Sequence, residues 1–251
     1  MYRIEDKYIC TENEFVLLQE KLENILKPDT NQKSEIGYTV TSVYFDDLFD
    51  SNLRDTVEGI SQRRKYRIRI YDNSLDVIKL EIKYKQYNRV MKKSCRISEE
   101  QMKMLLSGHC VEYKDMSVDH PIVLFNIAIK NTGLRPKVIV EYDRKAYIFP
   151  SGNVRITLDR NLRTGTQIEN FGKTGIVLNQ ITEMPNVLEV KYDEFLPGFI
   201  AQLLENGNMI QESYSKYRLC RERNEGRIKW QQLILSKEKY LNTWQADRAG
   251  Q

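Results

Sequence analysis

The sequence predicts an α+β fold in which eight antiparallel strands close into a barrel and amphipathic helices pack outside it. Three observations support this prediction. Eight segments alternate polar and apolar residues with the period of two that a strand requires. Several are joined by short polar turns, such as DNSLD and QYN, which allow antiparallel hairpins but not the long crossovers of parallel strands. Helical segments with one apolar stripe lie among them, and a closed sheet offers an outer apolar surface for such stripes.

The strand predictions follow the alternation along the chain. The eight segments are residues 2–10, 39–47, 63–72, 77–85, 89–97, 136–149, 153–162 and 187–194. No internal repeat or low-complexity linker interrupts them. With 251 residues, 41% of them hydrophobic, the chain is long enough for one large domain or two small ones, and one is favoured.

Helix signals lie between these strands. In TENEFVLLQEKLENILKP, Thr11 and Glu14 form a capping box and Pro28 ends the helix. Its apolar stripe consists of Phe15, Leu18, Leu22, Ile25 and Leu26. The further predicted helices are SEEQMKMLLSG with its capping box at Ser98 and Gln101, the segment from Pro121 to Gly133, EFLPGFIAQLLENG with a break at Pro197, and a last one from Arg227 to Tyr240.

Charged residues share one face of most predicted strands. They are Arg3, Glu5 and Lys7; Arg63, Lys65, Arg67 and Arg69; Lys79, Glu81, Lys83 and Lys85; Arg155 and Asp159; and Glu189, Lys191 and Asp193. For a single strand, the ordinary explanation is a charged face in water. Because the pattern recurs across these strands, and because the helices need the apolar faces outside, we expect the charged faces to converge on an enclosed lumen.

Such a lumen needs a particular kind of ligand. An eight-stranded barrel is wide enough for side chains or one small ligand. Arginine and lysine side chains repel one another in an empty lumen, so a flexible polyanion is indicated. Arginine binds phosphate as a planar fork and lysine as a point charge. The carboxylates have a separate use, because one or two of them commonly hold Mg²⁺ or Mn²⁺ together with phosphate oxygens.

Composition weighs against several other classes. With 39 basic and 35 acidic residues, the net charge is only +4, which is weak evidence for a nucleic-acid binder. The N-terminus has no apolar signal-peptide core and no window approaches the ~18 apolar residues of a membrane span, so we expect a cytoplasmic protein without an integral membrane segment. Four scattered cysteines and two histidines disfavour a zinc site or a Cys/His nucleophile.

Eight short motifs follow one another along the chain. They are R-x-E-x-K at residues 3–7, Y-F-D at 44–46, R-x-R at 67–69, L-E-I-K at 80–83, E-Y-D-R-K-A-Y at 141–147, R-I-T-L-D at 155–159, L-E-V-K at 188–191 and S-K-Y at 215–217. In this order they resemble the VTC domain, the catalytic domain of the vacuolar transporter chaperone polyphosphate polymerases, which belongs to the triphosphate tunnel metalloenzymes. The resemblance spans about residues 2 to 220.

The resemblance implies an antiparallel eight-stranded tunnel that binds triphosphate or polyphosphate with a divalent ion. The family's polymerases transfer the γ-phosphoryl of ATP to a growing phosphate chain and release ADP. The expected partners are therefore ATP and inorganic polyphosphate, and the expected cofactor is Mn²⁺ or Mg²⁺. We assign residues 1–222 to the tunnel domain. Residues 223–251 form a C-terminal helical extension, which packs on or near the barrel or contacts a protein partner.

The resemblance also implies three groups of site residues. The catalytic, phosphate-binding residues are Arg67, Arg69, Lys83, Arg144, Arg155 and Lys216. The further substrate-binding residues are Lys7, Lys93, Ser215, Arg3 and Lys191. The metal-binding carboxylates are Glu189 and Glu5.

Two of these assignments depend on strand geometry. A lysine is expected from the strand RVMKKSCRI, where alternation can place either Lys92 or Lys93 inside, and we choose Lys93. In PKVIVEYDRKAYIF, a regular strand would put Arg144 on the face of an apolar row that we expect to pack outside. A β-bulge near Asp143 would turn Arg144 inward, because one extra residue reverses the later side chains.

Polymerases and hydrolases of this fold differ in whether a phosphate chain or water accepts the phosphoryl group. Tunnel hydrolases usually begin with E-x-E-x-K, whereas this chain has Arg3 in place of the first glutamate. One carboxylate fewer leaves less to bind a second metal ion or to orient water, so polymerase is preferred. The alternatives are a tunnel-type inorganic or nucleoside triphosphatase and a non-catalytic polyphosphate-binding module, which Glu189 and Glu5 disfavour.

Overall fold

The computed structural model describes residues 2–30, 32, 34–182, 185–205 and 209–226. This part of the chain contains eleven strands and six α-helices. The strands are β1 (Arg3–Cys10), β2 (Lys27–Pro28), β3 (Tyr38–Asp46), β4 (Gln62–Tyr71), β5 (Ser74–Gln86), β6 (Arg89–Arg96), β7 (Arg135–Phe149), β8 (Val154–Gly165), β9 (Asn179–Gln180), β10 (Asn186–Tyr192) and β11 (Ile210–Gln211). The helices are α1 (Glu12–Ile25), α2 (Ser51–Val57), α3 (Glu99–Leu106), α4 (Pro121–Thr132), α5 (Gly198–Leu204) and α6 (Lys216–Asn224).

Eight strands form a closed antiparallel ring. Their order is β7, β3, β4, β5, β6, β1, β10 and β8, and β8 pairs with β7 to complete it. These are the eight strands that the alternation predicts, so the α+β class and the eight-stranded ring are confirmed. The strands are uneven, from seven residues in β10 to 15 in β7, and the ring is therefore not a regular barrel. The short strands β2, β9 and β11 pair with β7, β8 and β1.

Pairing is weakest where β1 meets β6. Only two residue pairs join these strands, Arg3 with Val90 and Ile4 with Arg89. On its other side β1 pairs with β10 along seven residues, from Ile4 to Cys10. The N-terminal strand is therefore attached mainly to β10, the last strand of the ring in sequence.

Two apolar cores lie outside the ring, as predicted. Helices α3 and α4 cover β4 and β5, where Ile68, Leu80 and Phe125 are fully buried. Helices α1 and α5 cover β8 and β10. Burying these faces stabilises the fold by about 25 cal/mol for each Å² of apolar surface removed from water.

The predicted helix ends are largely confirmed. Both capping boxes are present, at Thr11 of α1 and Ser98 of α3. Helix α4 begins at Pro121 and ends at Gly133, whose φ of 65° suits a residue without a Cβ. Helix α5 begins only after Pro197. One stripe residue of α1 was wrong: Ile25 is 54% exposed, whereas Leu26 is buried.

The inner face of the ring is apolar at one end. Val138 and Val140 of β7 pack there with Tyr217 and Cys220 of α6, a helix that the sequence did not predict. The Tyr217 hydroxyl donates a 2.6 Å hydrogen bond to buried Asp46 at the end of β3. Helix α6 therefore packs against the inner wall at this end of the ring.

The described helices give no sign of a membrane span. None of them has both the length and the apolar character that crossing a bilayer would require. The predicted helix from Arg227 to Tyr240, and with it most of the predicted extension at residues 223–251, lies outside the described residues.

Candidate functional site

The ring encloses a cavity of about 740 Å³. Side chains from all eight ring strands line it, together with residues 214–217 at the start of α6. Twelve of the thirteen predicted site residues are among them: Arg3, Glu5, Lys7, Arg67, Arg69, Lys83, Arg144, Arg155, Glu189, Lys191, Ser215 and Lys216. The charged faces of the strands thus converge inward. The roles of these residues stay predictions.

Lys93 is the exception, and its predicted inward orientation is wrong. Lys93 pairs across the sheet with Ile82 of the outer core, and its Nζ lies 2.8 Å from Asp119. Lys92 lines the cavity, and its Nζ lies 2.8 Å from Glu81. The alternation allowed either orientation, and only the pairing of β6 with β5 decides it.

Arg144 reaches the cavity by another route than the one predicted. A register shift does occur beside Asp143, but the extra residue is in β8, where Asp143 pairs with Arg160 and Asn161 has a φ of 55°. Strand β7 itself stays regular against β3 from Val138 to Arg144. The apolar row of β7 therefore faces inward rather than outward, because α6 covers it, and Arg144 extends the same row into the cavity.

Two buried carboxylates, Glu81 and Asp159, hold three of the arginines that line the cavity. Glu81 lies 2.7 Å from the Arg67 guanidinium and 3.8 Å from that of Arg69. Asp159 accepts two hydrogen bonds from Arg144, of 2.6 and 2.7 Å, and one of 2.7 Å from Lys216. Burial alone would raise the pKa of Asp159, but Arg144 and Lys216 outweigh it and lower that pKa to about 2.

Glu5 and Glu189 form a second acidic pair, surrounded by lysines. Lys83 Nζ lies 2.6 Å from Glu5, and Lys7 Nζ lies 3.6 Å from Glu5 and 3.3 Å from Glu189. Lys191 contacts both carboxylates. Burial raises the pKa of each carboxyl, but the lysines outweigh burial, so both pKa values fall below their usual range and both groups are ionised.

Tyrosine hydroxyls fix the orientation of the guanidinium groups. Tyr44 accepts a 2.9 Å hydrogen bond from Arg67, and Tyr142 accepts one of 3.2 Å from Arg69. Tyr38 accepts one of 3.0 Å from Arg155, whose other partner is Asp29 at 2.7 Å. None of these tyrosines was among the predicted site residues, although Tyr44 and Tyr142 lie in the motifs and Tyr38 and Tyr44 stand at even spacing on one face of β3.

A divalent ion would find a limited set of protein ligands here. No group of three or more His, Cys, Asp or Glu side chains suited to a metal lies in the described ranges. The adjacent, ionised Glu5 and Glu189 nevertheless fit the one or two carboxylates by which Mg²⁺ is usually held when phosphate oxygens complete its shell. Within the described residues, the cavity therefore offers a metal ion few protein ligands and presents many more basic side chains.

The VTC domain family model matches residues 2–223. No curated protein matches the chain. Similar solved structures include the PH1819 protein from Pyrococcus horikoshii OT3, with 14% identity and a TM-score of 0.44 over 88% of this chain and 99% of that one. A putative adenylate cyclase from Bacillus halodurans has 14% identity and a TM-score of 0.44 over 80% and 84%. A Mimivirus capping enzyme triphosphatase has 12% identity and a TM-score of 0.39 over 82% and 87%. Similarities this distant support no conclusion about function.

Proposed function

The chain belongs to the VTC domain family, and from this membership we propose that it is a polyphosphate polymerase. The proposed reaction breaks the bond between the γ-phosphorus of ATP and the oxygen that bridges it to the β-phosphate. A new bond forms from that phosphorus to a terminal oxygen of an inorganic polyphosphate chain, and ADP leaves. The chain grows by one phosphate in each cycle.

One observation carries the proposal. A single enclosed cavity collects arginine and lysine side chains from strands on all of its sides, among them Arg67 and Arg69 of β4, Arg144 of β7 and Arg155 of β8. A ligand surrounded by cations must itself carry several negative charges along its length. A triphosphate or a phosphate chain has this property, whereas a single phosphate would reach only a few of these groups.

Phosphoryl transfer requires mainly that donor and acceptor are aligned and that the charge on the transferred group is stabilised. Arg67 and Arg69 present planar forks that their tyrosine partners hold in place, so little reorganisation is needed when phosphate binds. Arg144 and Lys216 now share Asp159, and bound phosphate oxygens would take over one or both of these cations.

Glu189 and Glu5 are the residues that would hold Mn²⁺ or Mg²⁺ together with phosphate oxygens. Such an ion offsets phosphate charge and helps to orient the transferring group. Lys7 and Lys191 neutralise this carboxylate pair in the structure and would turn to phosphate oxygens instead.

The test is a product analysis. Purified protein is incubated with ATP and Mn²⁺ or Mg²⁺, with and without a short polyphosphate primer, and the products are resolved by chain length. ADP together with lengthening phosphate chains supports the polymerase. Orthophosphate without chain growth would assign a tunnel-type triphosphatase, and tight polyphosphate binding without turnover would assign a binding module.

A further inference from the structure

A smaller cavity of about 250 Å³ adjoins the lumen. Its own lining includes Arg63 and Lys85, from the ends of β4 and β5 away from the hairpin that joins them, and Gln211 of β11. It shares Lys65 and Ser215 with the lumen, together with Glu5, Lys7, Lys83 and Tyr214. We call this space the side cavity. Two basic side chains, Arg63 and Lys85, thus lie beyond the main cavity, together with the carboxylates of Asp6 and Glu212.

Lys65 stands where the two cavities meet. Its Nζ donates a 2.8 Å hydrogen bond to the hydroxyl of Ser215 and lies 5.6 Å from the centre of the Tyr217 ring. No carboxylate of the described residues lies within 4.0 Å of it. Lys79 and Arg96 also have no acidic partner among the described residues. They occupy opposite positions on the paired strands β5 and β6, away from this junction.

The charges around Lys65 disfavour the protonated form of its amine. Burial lowers the pKa of Lys65, and Lys7 of β1, Lys83 of β5 and Arg63 of its own strand lower it further. Glu5 of β1 opposes this effect but does not cancel it. From the side of α6, Ser215 and Tyr217 contribute no negative charge, and Glu212, which also lines the side cavity, forms no ion pair with Lys65 within 4.0 Å. An arriving phosphate would supply the missing counter-charge and favour the protonated amine.

We propose that Lys65 binds the part of a polyphosphate chain that extends past the triphosphate and turns from the lumen into the side cavity. Lys65 thereby selects long chains over tripolyphosphate. The inference rests on the proposed function and names a residue that sets its substrate range. Most lumen cations must leave a carboxylate partner in order to bind phosphate. Lys65 must leave only the hydroxyl of Ser215.

The test compares binding of long-chain polyphosphate with binding of tripolyphosphate by titration calorimetry, without ATP. The variants are Lys65→Met, Lys65→Arg and, as a control on the exposed face of α3, Lys103→Met. Lys65→Met is expected to weaken long-chain binding roughly 10- to 100-fold, the value of a hydrogen bond to a charged group, and to leave tripolyphosphate affinity unchanged. Lys65→Arg and Lys103→Met should keep the preference for long chains. Equal losses for both ligands, or no loss, would overturn the proposal.

Proton uptake gives a second readout. Titrations in two buffers of different ionisation enthalpy report the protons bound with the ligand. The wild type should take up more protons than Lys65→Arg, because the guanidinium of the variant is already charged. Protons taken up by neighbouring Lys83 are common to both proteins and cancel when the two uptakes are subtracted. Equal uptake would refute the idea that phosphate charges Lys65. If the protein hydrolyses ATP but keeps the preference for long chains, the proposed function is wrong and this inference stands. If the protein is a polymerase whose preference for long chains is unaffected by Lys65→Met, only the inference is wrong.

Discussion

Replacing Asp159 by Asn tests whether the lumen exchanges carboxylates for phosphate. Asp159 is 2% exposed and holds both Arg144 and Lys216. Arg144 and Lys216 lower its pKa from the usual 3.8 to about 2, a shift worth roughly 2–3 kcal/mol of stability. Removing one partner of a buried ion pair typically costs about 3–5 kcal/mol, because the remaining charges lose their counter-ion. We therefore expect Asp159→Asn to lose about 3 kcal/mol or more of its free energy of unfolding at pH 7.

Polyphosphate should restore more stability to this variant than to the wild type. Arg144 and Lys216 are then already unpaired, so the ligand no longer displaces a carboxylate. A ligand at 100 times its Kd adds about 2.7 kcal/mol, and tighter binding by the variant raises this figure. The assay is urea unfolding with and without long-chain polyphosphate. Asp159→Asn that is as stable as the wild type, or equal stabilisation of both proteins by polyphosphate, would refute the exchange.

Acid supplies an independent check. The folded-state pKa of Asp159 lies below its unfolded value, so its contribution is complete above about pH 3.8 and is lost as the pH falls toward 2. The wild type should lose this part of its stability in that interval. Asp159→Asn should show a correspondingly shallower decline there.

Three other substitutions probe the site and the scaffold. Arg67→Ala should weaken polyphosphate binding roughly 10- to 100-fold by calorimetry and leave a folded protein, since Glu81 keeps Lys92 as a partner; a normal affinity would exclude Arg67 from the site. Lys92→Met should lower polyphosphate affinity while Lys93→Met, which alters the outer face, should not; the reverse order would contradict the assigned strand face. Thr11→Ala should cost about 1 kcal/mol in thermal unfolding through the lost helix cap, and an unchanged midpoint would show that the capping box is dispensable.

Local pattern was enough to predict the ring strands and most of the lumen. The period of two in segments such as Arg67 to Arg69 fixes which side chains share a face, and the need to bury apolar faces fixes which face is outside. The two capping boxes likewise act within a few residues. Each of these signals depends only on neighbours in the chain.

The errors arose where a distant segment decides the outcome. Helix α6 has the sequence KYRLCRERN, which carries no extended apolar stripe, and its helix forms because Tyr217 and Arg221 bond to Asp46 and Asp50. Without α6, the apolar row containing Val138 had to be assigned to the outside. The choice between Lys92 and Lys93 depended in the same way on register with β5.

The short pairing between β1 and β6 bears on the order in which the strands assemble around the cavity. β1 is the first strand in sequence, yet its long pairing is with β10, more than 170 residues away. Bringing such distant segments together carries a large loop-closure entropy and is characteristic of slow folding. We therefore expect the N-terminal strand to pair last, onto a curved, open sheet of the other seven with β6 and β10 at its margins. Lys7 of β1 and Glu189 of β10 would meet only in this last step, so the charged lining of the cavity would be completed when β1 pairs.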